Sequence, residues 1–308
     1  MNAGKHALIG SGALLLTIPA GPLAAIECGQ VIDQDATLDR ELVCQSDPAL
    51  TVDRGAALDL GGFTVVCDGT DTGIRLEGTA SRLDDGGVVG CGVAVVVAGE
   101  GGHTVRRVTA SGLNQGILVL SDDNHILRNA VLRGWMDAAI QVDGAGNALR
   151  FNAVTGSMDQ GFEINGDDNL VEANSIGAVA EGVQLTGSGN RVLDNDIIGT
   201  TDRGIEVRVT VTDDGTEIRE GGHQISGNRI ADGTADGIAV FADGNQVHDN
   251  SITGHGDQGL FVSGFDNTIT GNLVLFNLTD LTDATEDCDD NVWRDNVFET
   301  SVSDDCVD

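Results

Sequence analysis

Residues 169–185 read NLVEANSIGAVAEGVQL, and residues 190–207 repeat the same arrangement as NRVLDNDIIGTTDRGIEV. In both stretches two asparagines stand five residues apart, and each is followed two positions later by Val or Ile. A Gly then opens a short run in which apolar and polar residues alternate. Alternation of this kind, with β-branched residues preferred, is typical of β-strands. Each stretch therefore predicts three short strands joined by turns.

The asparagine pairs recur along most of the chain with a period near 22 residues. The other pairs are Asn124/Asn129, Asn147/Asn152, Asn245/Asn250, Asn267/Asn272 and Asn291/Asn296, with His223/Asn228 in the same slot and His103 in an earlier one. Successive first members lie 21 to 24 residues apart, except for one step of 33 residues from Asn190 to His223. Copies stacked about 4.8 Å apart would pair every strand with its neighbours, bury the Val and Ile side chains, and align the amides in ladders.

This repeat resembles the right-handed parallel β-helix family, the pectate lyase-like superfamily, through its N-x-[IV]-x-x-N-x-[IV]…G-[IV]-x-[IV] units over about residues 59–300. The fold expected is all-β, a single right-handed parallel solenoid of about nine or ten coils of roughly 22 residues, capped at both ends. We expect a signal peptide over 1–25, an N-terminal cap over 26–60, the β-helix over 61–278 and a C-terminal coil and cap over 279–308. The family includes lyases, hydrolases, epimerases and non-catalytic proteins, so it implies architecture more than activity.

The first 25 residues have the composition of a secretory signal peptide. Lys5 and His6 precede an apolar run over residues 7–18, and small residues end the segment. The run is too short to span a membrane comfortably, and no later stretch is long and apolar enough. The sequence therefore predicts a protein that is secreted, periplasmic or on the cell surface, without membrane insertion.

Six cysteines follow the predicted signal peptide, an even number that favours disulfides over metal thiolates in an exported chain. Fifteen pairings are possible. Clustering along the chain favours Cys28–Cys44, Cys67–Cys91 and Cys288–Cys306. Because residues 92–287 contain no Cys, such bridges would clamp the two ends of the solenoid.

The chain is strongly acidic, with 49 Asp and Glu against 16 Lys and Arg, a formal net charge of −33. This balance argues against nucleic-acid partners and anionic membranes, because both need a basic surface. Lys5 is the only Lys and there is no Tyr. A polyanionic polysaccharide would be repelled unless calcium bridged it to the protein. Neutral sugars usually need exposed aromatic rings, for which Phe261 is the obvious outward candidate.

An acidic, amide-rich stripe follows the outward positions of the third strand in each repeat. It includes Asp159, Glu163, Glu181, Gln184 and Glu206, and the insertion over residues 208–220 is predicted to form a hairpin beside it. Equivalent carboxylates one coil apart would lie near 4.8 Å and those two coils apart near 9.6 Å. Glycosidases use carboxylate pairs about 5 Å or about 6.5–9.5 Å apart.

The stripe supplies the candidate site residues. The carboxylates predicted to be catalytic are Asp159 and Glu181, expected one coil apart, and Glu163 and Glu206, expected two coils apart. Gln184, Arg203 and Arg208 are predicted to contact substrate. A solvated acidic face and a calcium site are the alternatives for the same residues, and calcium is the one cofactor that these residues suggest.

The function predicted is binding or processing of extracellular polysaccharide by a secreted, monomeric parallel β-helix. If the protein is an enzyme, we expect a polysaccharide hydrolase or lyase. The alternatives are a non-catalytic structural or adhesive surface solenoid and a periplasmic accessory protein, since some maturation factors of metal enzymes resemble these repeats.

The excess of acids predicts that stability depends on salt. Repulsion between stacked acidic positions should accumulate along the solenoid, and its reach falls from about 30 Å at 0.01 M salt to about 3 Å at 1 M. We expect Tm to rise from low to molar NaCl or KCl, as measured by thermal melting. A Tm that stays constant across this series would contradict the prediction. A rise at millimolar CaCl₂ alone would indicate specific sites among Asp159, Glu163, Glu181 and Asp202.

Overall fold

A computed structural model describes residues 25–132, 137–156, 159–212, 214–219, 221–286, 290–302 and 307. The predicted signal peptide up to residue 24 and the predicted Cys288–Cys306 bridge lie outside these residues. The described part of the chain is all-β. It contains no helix long and apolar enough to cross a membrane.

The strands of the described residues are short and evenly spaced. The first twelve are β1 (Val31–Ile32), β2 (Ala36–Thr37), β3 (Leu42–Cys44), β4 (Leu50–Val52), β5 (Ala57–Asp59), β6 (Thr64–Cys67), β7 (Thr72–Leu76), β8 (Arg82–Val89), β9 (Val93–Val97), β10 (Thr104–Ser111), β11 (Gln115–Val119) and β12 (His125–Leu127). The next twelve are β13 (Ala130–Leu132), β14 (Ile140–Val142), β15 (Ala148–Arg150), β16 (Ala153–Thr155), β17 (Gln160–Ile164), β18 (Leu170–Glu172), β19 (Ser175–Gly177), β20 (Glu181–Leu185), β21 (Arg191–Leu193), β22 (Asp196–Ile198), β23 (Ile205–Val207) and β24 (Thr210–Val211). The last twelve are β25 (Glu217–Ile218), β26 (Gln224–Ser226), β27 (Arg229–Ala231), β28 (Ile238–Val240), β29 (Gln246–His248), β30 (Ser251–Thr253), β31 (Gln258–Val262), β32 (Thr268–Thr270), β33 (Leu273–Leu275), β34 (Thr279–Asp283), β35 (Val292–Arg294) and β36 (Ser301–Val302).

The strands stack into a parallel β-helix, as the repeat predicts. One strand from each coil joins a 13-stranded parallel sheet, here called the front sheet, in the order β1-β4-β7-β9-β11-β14-β17-β20-β23-β28-β31-β34-β36. The other two strands of each coil form the remaining faces, which merge through the long strands β8 and β10. The solenoid has about 12 turns, so the prediction of nine or ten is slightly low. Parallel pairing already begins at Val31, inside the segment expected to form a cap.

The core is a set of apolar stacks that run along the solenoid. Val171, Val192, Ile225, Val247 and Ile269 occupy one register position in five successive coils, and each is fully or almost fully buried. Burying a side chain of this size stabilises the fold by about 1.5–3 kcal/mol. Because every coil contributes such residues, the stacks form a continuous core.

Two buried amide ladders run along the bends, as predicted from the asparagine spacing. One ladder, the second-slot ladder, consists of the second asparagine of each pair. In it the Oδ1 of Asn174 accepts hydrogen bonds from the backbone N–H (2.8 Å) and Nδ2 (3.0 Å) of Asn152. Its own Nδ2 donates to the Leu149 carbonyl at 2.9 Å and to Oδ1 of Asn195 at 3.0 Å. Each amide thus satisfies buried polar groups in neighbouring coils, which would otherwise be costly to leave unpaired.

The first asparagine of each pair forms the other ladder, the first-slot ladder. Two histidines replace asparagine in it, as the repeat predicts. The Nδ1 of His103 accepts the Ser81 N–H at 3.0 Å, and the Nδ1 of His223 accepts the Asn190 N–H at 3.1 Å. An imidazole can accept at Nδ1 only when that nitrogen is unprotonated. Burial lowers the pKa of His223 to about 4, so the ring stays neutral at physiological pH.

Disulfides join Cys28 to Cys44 and Cys67 to Cys91, the first two pairings that clustering predicted. Both connect neighbouring segments in the first coils of the solenoid. They fit the oxidising compartment expected for an exported protein.

The 33-residue step carries a hairpin that projects from the solenoid. Strands β24 and β25 pair antiparallel, with Thr210 opposite Ile218, and the Thr212 N–H donates to the Thr216 carbonyl at 2.9 Å. Stacking continues uninterrupted beneath the hairpin, because β21 pairs with β26 and β23 pairs with β28. The extra residues therefore leave the coil register unchanged.

The amide ladder predicts that Asn174→Leu destabilises the protein. The variant would leave the Asn152 donors and the Leu149 carbonyl without their partner, which should cost roughly 1–3 kcal/mol. Chemical denaturation would measure this loss, with Ser175→Ala, at the exposed neighbouring position, as the control. Equal stability of Asn174→Leu and the control would contradict the assigned role of the ladder.

The buried imidazole predicts a specific acid sensitivity. The pKa of His223 is about 4 in the folded state and near 6.5 in the unfolded state, so the unfolded chain binds more protons between these values. The stabilisation is therefore complete above about pH 6.5 and is lost as pH falls towards 4, by up to about 3 kcal/mol. Unfolding free energies measured over this range should fall less steeply for His223→Asn, which restores the usual ladder residue. The same slope in wild type, His223→Asn and the exposed control His125→Asn would rule out this assignment.

Candidate functional site

The outward face of the front sheet aligns a row of polar residues across successive coils. Gln141, Glu163, Gln184 and Glu206 occupy one register position on β14, β17, β20 and β23. Glu163 and Glu206 therefore lie two coils apart with Gln184 between them, as the repeat predicts. The row continues through Ala239 and Phe261.

The predicted alignment of Asp159 with Glu181 is wrong by one residue. Glu181 pairs with Gln160 instead, and the Asp159 carbonyl accepts the N–H of Ala180. The reason is the length of the turns: three residues separate β19 from β20, whereas four separate β16 from β17. Asp159 thus precedes the register position that Glu181 occupies.

Glu163 lies in the more acidic half of the row. The Asn165 amide donates to Glu163 Oε1 at 3.1 Å and to Asp143 Oδ1 at 3.0 Å. Burial raises the pKa of Glu163, and repulsion from Asp137, Asp143 and Asp159 adds to the effect, while the Asn165 hydrogen bond opposes it. Burial also raises the pKa of Asp159, with a contribution from Asp137.

Glu206 lies at the centre of an ion-pair network and its side chain is only 4% exposed. One carboxylate oxygen is 2.7 Å from Nη1 of Arg203, and the other is 3.3 Å from Nε of Arg208. The Gln184 side chain donates to this second oxygen at 3.4 Å and to Glu181 Oε2 at 2.7 Å. The structure therefore brings five of the predicted site residues together. Glu206 lies at the centre, and the other four surround it: Glu181, Gln184, Arg203 and Arg208.

Glu181 has a different electrostatic environment from Glu206. Burial raises its pKa, and the negative charge of Glu206 raises it further. The hydrogen bond from Gln184 and the charge of Arg208 act in the opposite direction. Two carboxylates on neighbouring coils thus have different surroundings, one paired with arginines and the other with a raised pKa.

Arg203 connects this network to an aromatic cluster. Its Nε lies 3.3 Å from Oδ2 of Asp236, and its guanidinium carbon lies 5.3 Å from the centroid of the Phe241 ring. The Phe241 and Phe261 rings pack with centroids 5.7 Å apart. Burial raises the pKa of Asp236 despite the hydrogen bonds from Gln258 and Arg203.

A groove of about 560 Å³ separates the hairpin from the front sheet. Val209, Val211 and Glu217 line it on the hairpin side, and Glu206 and Phe241 line it on the sheet side. Arg208, whose side chain is 51% exposed, also borders the groove. Carboxylate, guanidinium and apolar groups thus face one concave surface.

Arg219 fastens the hairpin to the sheet. It donates through Nη2 to the Phe241 carbonyl at 2.8 Å, and its Nε lies 3.4 Å from Oδ1 of Asp243. Its guanidinium carbon lies 5.4 Å from the centroid of the Phe265 ring. This contact and the aromatic cluster were not predicted. The period of two offered a signal for Phe241, because it follows the outward Ala239 by two positions.

The described residues contain no group of three or more His, Cys, Asp or Glu side chains arranged to hold a metal ion. Within the row, Gln184 separates the carboxylates of Glu163 and Glu206, and Glu206 is paired with Arg203 and Arg208.

A family model described as "Periplasmic copper-binding protein (NosD)" matches residues 64–204. No curated protein sequence matches the chain. Among solved structures, the A-module of Azotobacter vinelandii mannuronan C-5 epimerase AlgE6 is 12% identical, with a TM-score of 0.68 over 89% of this chain and 90% of that one.

Two further structures share the architecture at lower coverage of their own length. The Dettilon tailspike protein is 13% identical, with a TM-score of 0.68 over 89% of this chain and 62% of that one. The PL6 family alginate lyase AlyGC is 11% identical, with a TM-score of 0.51 over 92% of this chain and 49% of that one. The present chain thus spans less than two thirds of both proteins. These likenesses concern the fold, and they agree with the pairing observed: the chain is a right-handed parallel β-helix protein.

Proposed function

We propose that the protein binds an extracellular or periplasmic polysaccharide in the groove between the hairpin and the front sheet. The observation that carries this proposal is the groove itself, which interrupts the regular outer face and has a volume of about 560 Å³. Ligand sites in proteins commonly have volumes of about 300–1,000 Å³. A uniform scaffold or adhesive solenoid would need no such concavity.

The lining of the groove suits a sugar. Arg208 can donate hydrogen bonds to hydroxyl groups and the exposed Glu217 can accept them, while Phe241 and Val211 offer apolar surface to the C–H face of a sugar ring. Arg203 and Arg219 hold the Phe241 segment in place through a ring contact and a backbone hydrogen bond. The binding surface is therefore fixed before a ligand arrives, which reduces the entropy cost of binding.

The structural neighbours support a polysaccharide partner. The names of the neighbouring epimerase and lyase specify mannuronan and alginate, both polysaccharides. At 11–12% identity these proteins share the fold with the present chain, so they support the class of ligand and no particular sugar.

The family model favours a second candidate, a periplasmic accessory protein. Its description names copper, but the described residues do not fit a copper site. The four described cysteines form disulfides, and the buried His103 and His223 use Nδ1 as acceptors within the ladder. We therefore assign no metal step to this chain. The periplasmic location fits the disulfides equally well for both candidates.

Substitution of Arg208 should weaken glycan binding. Arg208→Ala removes a charged hydrogen-bond donor at the edge of the groove, and hydrogen bonds to charged groups contribute about 1.5–3 kcal/mol. We expect Kd to rise by roughly tenfold or more in calorimetric titrations with whichever polysaccharide the wild-type protein binds in a panel of neutral and acidic polymers.

Arg191→Ala is the matched control, because Arg191 is an exposed arginine on β21, away from the front sheet. Its Kd should equal that of the wild-type protein. Equal affinities of Arg208→Ala and Arg191→Ala would move the binding site away from the groove. Failure of the wild-type protein to bind any polymer in the panel would overturn the proposed function.

A further inference from the structure

We propose that a patch of arginines on a second face of the solenoid binds an acidic polysaccharide without calcium. The patch, here called the arginine corner, consists of Arg106, Arg107, Arg128 and Arg150 with the ring of Phe151. It lies on strands β10, β12 and β15 and on the bends beside them, outside the front sheet. The inference goes beyond the proposed function, because it concerns a site separate from the groove.

The coils that carry the arginine corner are locally basic in an acidic chain. Residues 104–111, 125–132 and 148–155 contain four arginines and no Asp or Glu, although the whole chain has 49 acids. These segments stack directly on one another, since β10 pairs with β12 and β13, β12 with β15, and β13 with β16. The corner is therefore a positive island that extends over three coils.

The acidic partners of the corner come from the coils on either side of it. Oδ1 of Asp84, on β8, lies 2.7 Å from Nε of Arg106. Oε2 of Glu172, on β18, lies 2.7 Å from Nε of Arg150. Both contacts use Nε, so the Nη donors of these arginines, whose side chains are 34% and 40% exposed, can bind a further acceptor. Guanidinium groups suit carboxylates and tetrahedral oxyanions.

Arg128, at the centre of the corner, has no carboxylate partner among the described residues. Its exposed guanidinium group contacts the Phe151 ring instead, with 5.7 Å from the guanidinium carbon to the ring centroid. Arg107 lies one coil earlier and is paired with Asp85 on its far side. Two like charges are thus stacked about 4.8 Å apart, which is unfavourable until an anion binds between them.

The backbone gives no structural reason for bulky side chains at this bend. Arg107, Arg128 and Phe151 occupy the same bend position in successive coils, with φ values of 55°, 55° and 57°. This left-handed conformation is unfavourable for large residues and suits Gly, Asn and Asp. The later coils follow that preference at the equivalent position, with Asp194, Gly227, Asp249, Gly271 and Asp295. Departures from local preference are expected where side chains serve a function.

The shape of the corner favours one extended sugar chain as its ligand. The charges follow the solenoid axis, because Arg107 and Arg128 lie about one coil apart, near 4.8 Å. Arg106 and Arg150 lie about two coils apart, near 9.6 Å. A linear polymer can lie along them, whereas a membrane surface would also meet the acidic faces on either side. The ring of Phe151, which is 54% exposed, offers apolar surface to a sugar.

The net charge of the chain does not cancel this attraction at contact distance. At 0.15 M salt the reach of exposed charges falls to about 8 Å, so the distant acids among the formal −33 are largely screened. The overall charge predicted that an acidic polysaccharide would need calcium as a bridge. The arginine corner supplies positive charge directly, so we expect binding in the presence of a chelator.

Polymers that differ in charge test the class of ligand. We would titrate the wild-type protein with dextran sulfate, polygalacturonate and unmodified dextran at about 0.15 M NaCl with EDTA, and measure Kd by calorimetry. At least one of the two acidic polymers should bind, and the tighter one identifies sulfate or carboxylate as the preferred group. Dextran and dextran sulfate share a backbone, so their difference reports the charge. No binding of either acidic polymer, or binding only after CaCl₂ is added, would overturn the inference.

The central arginine can be replaced without disturbing the coil. Ala173 occupies the equivalent bend position in the coil after Phe151 with a φ of 53°, so Arg128→Ala suits the backbone. Kd for the acidic polymer should rise by about tenfold in Arg128→Ala. It should rise further in Arg128→Asp, which introduces the residue found at Asp194. Arg191→Ala makes the same change of charge on β21, outside the corner, and should bind like wild type. Equal weakening by Arg128→Ala and Arg191→Ala would overturn the site.

Failure of this inference is distinguishable from failure of the proposed function. Arg128→Ala should weaken an acidic polymer that Arg208→Ala, in the groove, leaves at wild-type affinity. The reverse pattern would overturn the arginine corner and support the groove. Weakening of acidic polymers by Arg128→Ala alone, with no polymer affected by Arg208→Ala, would support the corner and count against the groove. Tighter binding of oligothymidylate than of either acidic polysaccharide would assign the corner to nucleic acid and overturn the inference.

Discussion

Hydrogen bonding between buried amides at the bends is the interaction on which this solenoid depends. A coil of three short strands must turn three times, and each turn leaves backbone groups pointing into a dry interior. The asparagine side chains satisfy these groups while linking each coil to the next, as Asn174 does for Asn152 and Asn195. The ladders thereby also set the register, because a coil displaced by one residue would lose both its apolar stack and its amide partners.

The register decides where chemistry can occur. Once the inward positions are committed to Val and Ile, the alternate positions of the front sheet must face outwards, and equivalent residues recur coil after coil. Glu163, Gln184 and Glu206 are neighbours for this reason alone, although they are distant in sequence. In a chain with so few cations, the convergence of Arg203 and Arg208 on Glu206 gives this coil a balance of charge that the acidic half around Glu163 does not have.

The sequence predicted the coil, both ladders, the histidines within them and two disulfides, because each depends on spacing along the chain. It predicted the row of Glu163, Gln184 and Glu206 for the same reason. It missed the alignment of Gln160 with Glu181, because the turn before β20 is one residue shorter than the turn before β17, although both residues stand directly before the Gly that opens the strand run. The link from Arg219 to Phe241 was also missed, because the orientation of a projecting hairpin depends on side-chain contacts and not on the repeat.

The way the hairpin joins the solenoid separates stability from specificity. Strands on both sides of the insertion stack as though it were absent, so the packing of the core does not depend on the length or composition of the hairpin. One wall of the groove can therefore be lengthened, shortened or exchanged in evolution without any compensating change in the apolar stacks. The opposite wall cannot, since its residues alternate with core positions on the same strands. New ligand preferences in such proteins should accordingly arise first by replacement of the inserted loop, with the sheet-borne groups retained as a constant element.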